Sequence, residues 1–218
     1  MDIALNNRIY QISTTHLCDA YPGIRIIHPS IKPLYFAEKF IGGAFTVKSE
    51  GDLLPIIKAI EIMEENVVLI IDSGDSQYAA LGEIFTNAAK NKKVQGIIID
   101  GFCRDISEIQ QLGVSLYAKG VFPRAGTKNK LGLIQTEIVC GGVVVQPNDI
   151  VFGDENGVVI LSSKEAALII DQAEQIKGKE KKALEKIKNG RSFNDVLNFN
   201  QHYENIAGSK ESELFWKV

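Results

Sequence analysis

The run NVVLIID at Asn66–Asp72 is apolar and largely β-branched, with no polar alternation. That pattern predicts a strand covered on both faces, as in a parallel sheet. A second such run, GIIID, stands at Gly96–Asp100. Between them, Tyr78–Asn91 predicts a helix with Ile84, Phe85, Ala88 and Ala89 on one side. Strand, helix and strand within roughly thirty residues make a βαβ unit. Upstream, Asp52–Glu65 sets Leu53, Leu54, Ile56, Ile57, Ile60 and Met63 at helical spacing, with Pro55 tolerable in the first turn. Downstream, a short helix is expected at Ile106–Leu112 and a strand at Ser115–Ala118.

From Thr136 the pattern changes to short strands and turns: Glu137–Cys140, Val143–Gln146, Ile150–Gly153 and Gly157–Leu161. The turn residues Gly141-Gly142, Pro147–Asp149 and Asp154–Gly157 separate them, which predicts a small β layer or barrel. Ser162 or Ser163 is the expected cap of a long final helix, Lys164–Lys188, with Glu165 in its first turn. Beyond Gly190 the chain is polar with scattered aromatics, expected to pack on a neighbour or wrap the surface. The fold class is α/β: βαβ units, a β-rich second half and a long C-terminal helix.

The 218 residues suit one domain over 1–218, with 190–218 as an extension. A hydrophobic share of 45% allows a proper core, and a formal charge of −3 provides no basic field for nucleic acid. The basic run Lys177–Lys188 is interleaved with acids and reads as the solvated face of a helix. Cys18, Cys103 and Cys140 are too far apart for a zinc knuckle and odd in number, which suits a reducing compartment. Met1–Tyr10 lacks the apolar core of a signal peptide. No apolar run is long enough for a membrane span. The expectation is a cytoplasmic protein.

The residues with chemistry lie at the ends of the βαβ strands. Leu81-Gly82-Glu83 precedes a helix, and Arg104-Asp105 follows the strand that begins at Gly96. Twenty residues stand between Glu83 and Arg104. Both groups fall at the carboxyl edge of the sheet, where open α/β folds bind ligands. An Arg guanidinium offers a planar fork that matches a carboxylate, and the N–H groups of a helix start favour an anion. Asp105 is suited to a hard divalent cation such as Mg²⁺, with Glu83 as a direct or water-mediated partner. Together they would grip a 2-oxo acid. Against this, an isolated Arg-Asp pair on a loop is more often a surface ion pair. His16 reads as a structural cap residue and Cys103 as a packing residue.

The chain resembles the family that joins the 4-hydroxy-4-methyl-2-oxoglutarate aldolases with the regulator of ribonuclease E activity A. The resemblance is carried by Leu81-Gly82-Glu83, GIIIDGFCRD at Gly96–Asp105, PRAGTKNKLG at Pro123–Gly132 and GGVVVQPNDIVFGDENGVVI at Gly141–Ile160, and more weakly by STTHLCDA at Ser13–Ala20. Glu83 stands where the family commonly has Asp. The resemblance implies a swivelling-domain-like arrangement of α/β/β layers and a divalent-metal-dependent aldolase. That enzyme would release pyruvate from a 4-hydroxy-2-oxo acid and decarboxylate oxaloacetate by the same chemistry. It implies that Arg104, with the backbone N–H groups of Ile84 and Phe85 beside Gly82, binds the pyruvyl carboxylate. Asp105 would hold Mg²⁺ or Mn²⁺ directly, and Glu83 would act through its waters. Lys128 would meet the distal carboxylate. It further implies a homotrimer or homohexamer. The alternative within the same family is a non-catalytic regulator that binds a ribonuclease or another protein.

Overall fold

The computed structural model describes residues 8–218; most of the Met1–Tyr10 segment lies outside them. At its centre stands a mixed sheet. Its parallel part is β3 (Phe40–Lys48), β4 (Val67–Asp72), β6 (Gly96–Cys103) and β7 (Leu116–Val121). The full order is β1 (Arg25–Ile26), β12 (Gly157–Leu161), β11 (Ile150–Asp154), β3, β4, β6, β7 and β2 (Lys32–Tyr35). β2, β11, β12 and β1 all join antiparallel. Two short strands sit beside this path: β5 (Ala79–Leu81) pairs with the far end of β6, and β8 (Leu133–Ile134) with β3.

The absence of alternation in NVVLIID has a direct cause, because both faces of the sheet are covered. Leu69, Ile71, Ile97 and Ile99 pack under α2 (Leu54–Ile62), α3 (Glu83–Asn91) and α4 (Ile106–Leu112). Val68, Ile70 and Ile98 pack under the hairpin of β9 (Ile138–Cys140) and β10 (Val143–Val145). Each such side chain contributes about 2 kcal/mol by leaving water. A third core joins α1 (Thr14–Ala20) and α5 (Ala166–Lys188) to Ile41, Phe152 and Val159. Helices, sheet and hairpin give the expected layers, with the long helix near the C-terminus. β9 and β10 supply the small β layer, while β11 and β12 extend the main sheet.

Three expectations are corrected. The predicted helix from Tyr78 begins only at Glu83, because Ala79–Leu81 pairs in parallel with β6 beyond a bulge. Ile84 is 75% exposed and does not join its buried side. The cap of the long helix is Glu165, not Ser162 or Ser163. The Ser162 carbonyl accepts the N–H groups of Glu165 and Ala166, so one turn precedes α5. Past α5, the chain forms α6 (Phe193–Val196) and α7 (Phe199–Ala207), and Leu197 bridges back to Trp216. Phe193, Tyr203 and Phe215 stay largely exposed.

Candidate active site

Gly82 and Asp105 close the two strand-to-helix connections at the carboxyl ends of β5 and β6. Gly82 is extended and starts α3; Asp105 has φ 59° and starts α4. A left-handed backbone is unusual for a residue with a Cβ, though Asp tolerates it better than most. The Arg104 N–H donates to the Leu81 carbonyl, tying the connections together. Asp105 Oδ2 lies 3.2 Å from the Glu83 backbone nitrogen, which donates to it, and 3.5 Å from Arg104 Nε. Their side chains are 39% and 41% exposed, so neither is committed to the core. A Cβ at position 82 would collide with Asp105 Oδ2 and crowd Arg104, which explains glycine there.

These residues line one cleft of about 150 Å³, below the roughly 300–1,000 Å³ of pockets for drug-sized ligands. Arg104, Asp105, Gly82, Ile84, Phe85 and Lys128 line it, and Leu53, Ala79, Ala80 and Ala125 add apolar surface. The cleft thus brings together two cationic side chains, one carboxylate and aliphatic surface. Glu83 donates its backbone N–H to Asp105, while its side chain is exposed. The N–H groups of Ile84 and Phe85 fall in the first turn of α3, where no intrahelical acceptor exists.

Among the described residues no three His, Cys, Asp or Glu side chains gather as an all-protein metal cage. One half-exposed carboxylate backed by glycine fits a hard cation that keeps most of its water and takes one or two carboxylates. It does not fit an enclosed structural zinc.

The remaining polar candidates serve the fold. His16 Nδ1 accepts the Ser13 backbone N–H at 3.0 Å while Nε2 faces Glu180 at 3.0 Å, a cap linking α1 to α5. Cys103 is buried, and burial pushes its thiol up to about 12, which removes it as a nucleophile. Asp100 accepts the Gly141 N–H at 2.6 Å and meets Lys119, fastening the β9–β10 hairpin. Sequence reasoning passed over Asp52. It is buried, and its carboxylate accepts from Leu54, Thr127, Asn129 and Lys130. A Gly-Asp pair before a helix was the only local signal.

The chain belongs to the RraA-like family, whose model, described as Aldolase/RraA, matches residues 14–160. It is 37% identical over 196 residues to an uncharacterized protein of Methanocaldococcus jannaschii, covering 88% of this chain and 93% of that one. A protein of Halalkalibacterium halodurans named "Putative 4-hydroxy-4-methyl-2-oxoglutarate aldolase" is 31% identical over 166 residues, covering 75% of this chain and 79% of its own. An uncharacterized protein from Pseudomonas syringae pv. tomato has the same fold, with a TM-score of 0.78 at 24% identity over 89% of this chain and 97% of that one.

Proposed function

We propose that this chain is a divalent-metal-dependent aldolase that cleaves a 4-hydroxy-2-oxo acid and releases pyruvate. One observation carries the reading: the Arg104 guanidinium, the Asp105 carboxylate and the start of α3 converge on one small cleft that Lys128 also lines.

Arg104 and the N–H groups of Ile84 and Phe85 bind the carboxylate next to the keto group. Asp105 would hold Mg²⁺ or Mn²⁺. The cation, when bound, supplies positive charge against the negative charge that develops on the keto oxygen. Glu83, exposed beside the cleft, orders water that takes the C4 hydroxyl proton. The C3–C4 bond then breaks, its electron pair moves toward the keto group, and C4 becomes a carbonyl. A proton returned to C3 completes pyruvate. Lys128 receives the distal carboxylate. Loss of carbon dioxide from oxaloacetate leaves the same electron pair, so this cleft suits it too. A homotrimer or homohexamer in which a neighbouring chain covers the mouth would bury Ile84, which lines the cleft and is 75% exposed.

The test is pyruvate release from 4-hydroxy-4-methyl-2-oxoglutarate and from oxaloacetate, each with Mg²⁺ and with EDTA. Release that stops in EDTA is expected. Release that persists in EDTA overturns the metal's role. No release from either acid leaves two readings, an aldolase for a different oxo acid or the non-catalytic regulator within the same family.

A further inference from the structure

Lys128 sits in a loop with no helix or strand of its own, between Phe122 and β8. A loop lysine of this kind is ordinarily solvated and mobile, and a flexible cation binds an anion at an entropic cost. Here the loop is fastened at its centre by one buried carboxylate. Asp52 Oδ2 accepts the Thr127 hydroxyl at 2.6 Å and the backbone N–H groups of Asn129 at 2.8 Å and Lys130 at 3.1 Å. Asp52 Oδ1 accepts the Leu54 N–H at 2.9 Å, fixing the carboxylate to the start of α2.

The backbone on either side repeats the connection. The Leu53 N–H donates to the Thr127 carbonyl at 2.8 Å, and the Thr127 N–H to the Gly51 carbonyl at 3.2 Å. Gly126 lies so close to the Gly51 carbonyl that a Cβ would collide with it. Lys128 is thus the one position between Thr127 and Lys130 whose backbone N–H is not given to Asp52 or Gly51, and its side chain lines the cleft. Leu53, next to Asp52, lines the same cleft.

We infer that Asp52 is a positioning residue: its carboxylate clamps the Thr127–Lys130 turn so that the Lys128 ammonium is presented to the cleft that Arg104 also lines. Recognition of a substrate's second carboxylate therefore depends on a side chain that never touches it. This rests on the reading of the cleft as a 2-oxo acid site. The clamp itself does not.

The experiment uses the full chain as wild type, Asp52→Asn, Lys128→Ala and the double variant. Asn cannot accept at both ends, so one former acceptor oxygen becomes an N–H₂ facing a donor. Thr127→Val removes only the hydroxyl bond and serves if Asp52→Asn does not fold. Amide hydrogen exchange across Gly126–Lys130 reads the clamp without ligand. Calorimetry with Mg²⁺ compares pyruvate, with one carboxylate, and 2-oxoglutarate, which has two and lacks the hydroxyl needed for cleavage.

Asp52→Asn is expected to speed exchange at Asn129 and Lys130 and to weaken 2-oxoglutarate about tenfold, the scale of a lost charge-assisted hydrogen bond. Pyruvate affinity should hold within about twofold, since its partners, Arg104 and the start of α3, lie outside the turn that Asp52 holds. The double variant should bind 2-oxoglutarate no worse than Lys128→Ala alone, because Asp52 acts through that lysine. Unchanged exchange overturns the clamp. Equal losses for both acids, or additive effects in the double variant, overturn the positioning role. Wild type that binds neither acid overturns the 2-oxo acid reading and the recognition half of the inference, while the exchange result still decides the clamp.

Discussion

Asp105 and Asp154 both follow or end a strand of the same sheet, one in the parallel part and one in the antiparallel part. Asp154 is fully buried, and its carboxylate accepts the Thr14 N–H at 2.8 Å, the Thr14 hydroxyl at 2.7 Å and the Asn156 N–H at 2.9 Å. Asp105 has a left-handed backbone, one N–H donor at 3.2 Å and an arginine at 3.5 Å, and is 39% exposed. Every hydrogen bond at Asp154 closes within the chain, so it holds α1 to the turn before β12. At Asp105 much of the capacity is left over for something that is not protein. Buried carboxylates with complete partners are structure; an under-partnered one in a cleft is where a ligand's contribution enters.

The contrast predicts opposite responses to removal. Asp105→Ala should lower metal-dependent pyruvate release by about 100-fold or more, the scale of losing charge stabilisation at a developing oxyanion. Its melting temperature should stay near wild type, because no buried donor is orphaned. Asp154→Ala should do the reverse: about 3 kcal/mol of stability lost in urea, from stranding buried donors, with KM unchanged in the protein that remains folded. A fall in activity for Asp154→Ala with no loss of stability would erase the distinction.

Gly82→Ala sharpens the same comparison with a smaller effect. The new methyl displaces Asp105 Oδ2 rather than removing it, so about tenfold lower kcat/KM is expected from a misplaced group. Assay and melting curve together check this. A fully active Gly82→Ala would show that the Asp105 position seen here is not the one used.

The smallest effect concerns pH. Burial acts to raise the Asp52 carboxyl, but the Thr127 hydroxyl and three backbone N–H groups outweigh it and hold it at about 2. Its unfolded value is about 3.9. Being depressed in the fold, it contributes stability that is complete above pH ~4 and is lost as pH falls toward 2. Urea melts of wild type and Asp52→Asn should therefore converge over that window. A constant gap between them from pH 5 to pH 2 would contradict the assignment.

Much of this was legible in the sequence where burial is symmetrical. NVVLIID and GIIID are strands because helices cover one face and a hairpin the other, and Arg104-Asp105 stood out because a charged pair ends such a run. The short strand at Ala79–Leu81 was not legible, since two alanines and a leucine, all good helix formers, read as helix until β6 offers them a pairing edge. FIGGAFTVK at Phe40–Lys48 is weakened as a signal by Gly42-Gly43, yet β3 is the strand that both parts of the sheet share. Asp52 stayed hidden for a different reason: its partners at Thr127–Lys130 are remote in the chain, and no local pattern anticipates them.

The place of β3 carries a consequence for how the molecule is made. β3 through β7 is continuous in sequence, and β4, β6 and β7 are each laid against a strand that has already been synthesised. On the other edge of β3, Val47 and Lys48 pair with β8, but Phe40–Gly43 wait for β11, which begins at Ile150. Closing so long a loop is entropically costly and slow, so the parallel part can form first, with an open edge. During translation that edge is the part most exposed to pairing with another chain. Nascent chains stalled before β11 would be the ones to depend on chaperones.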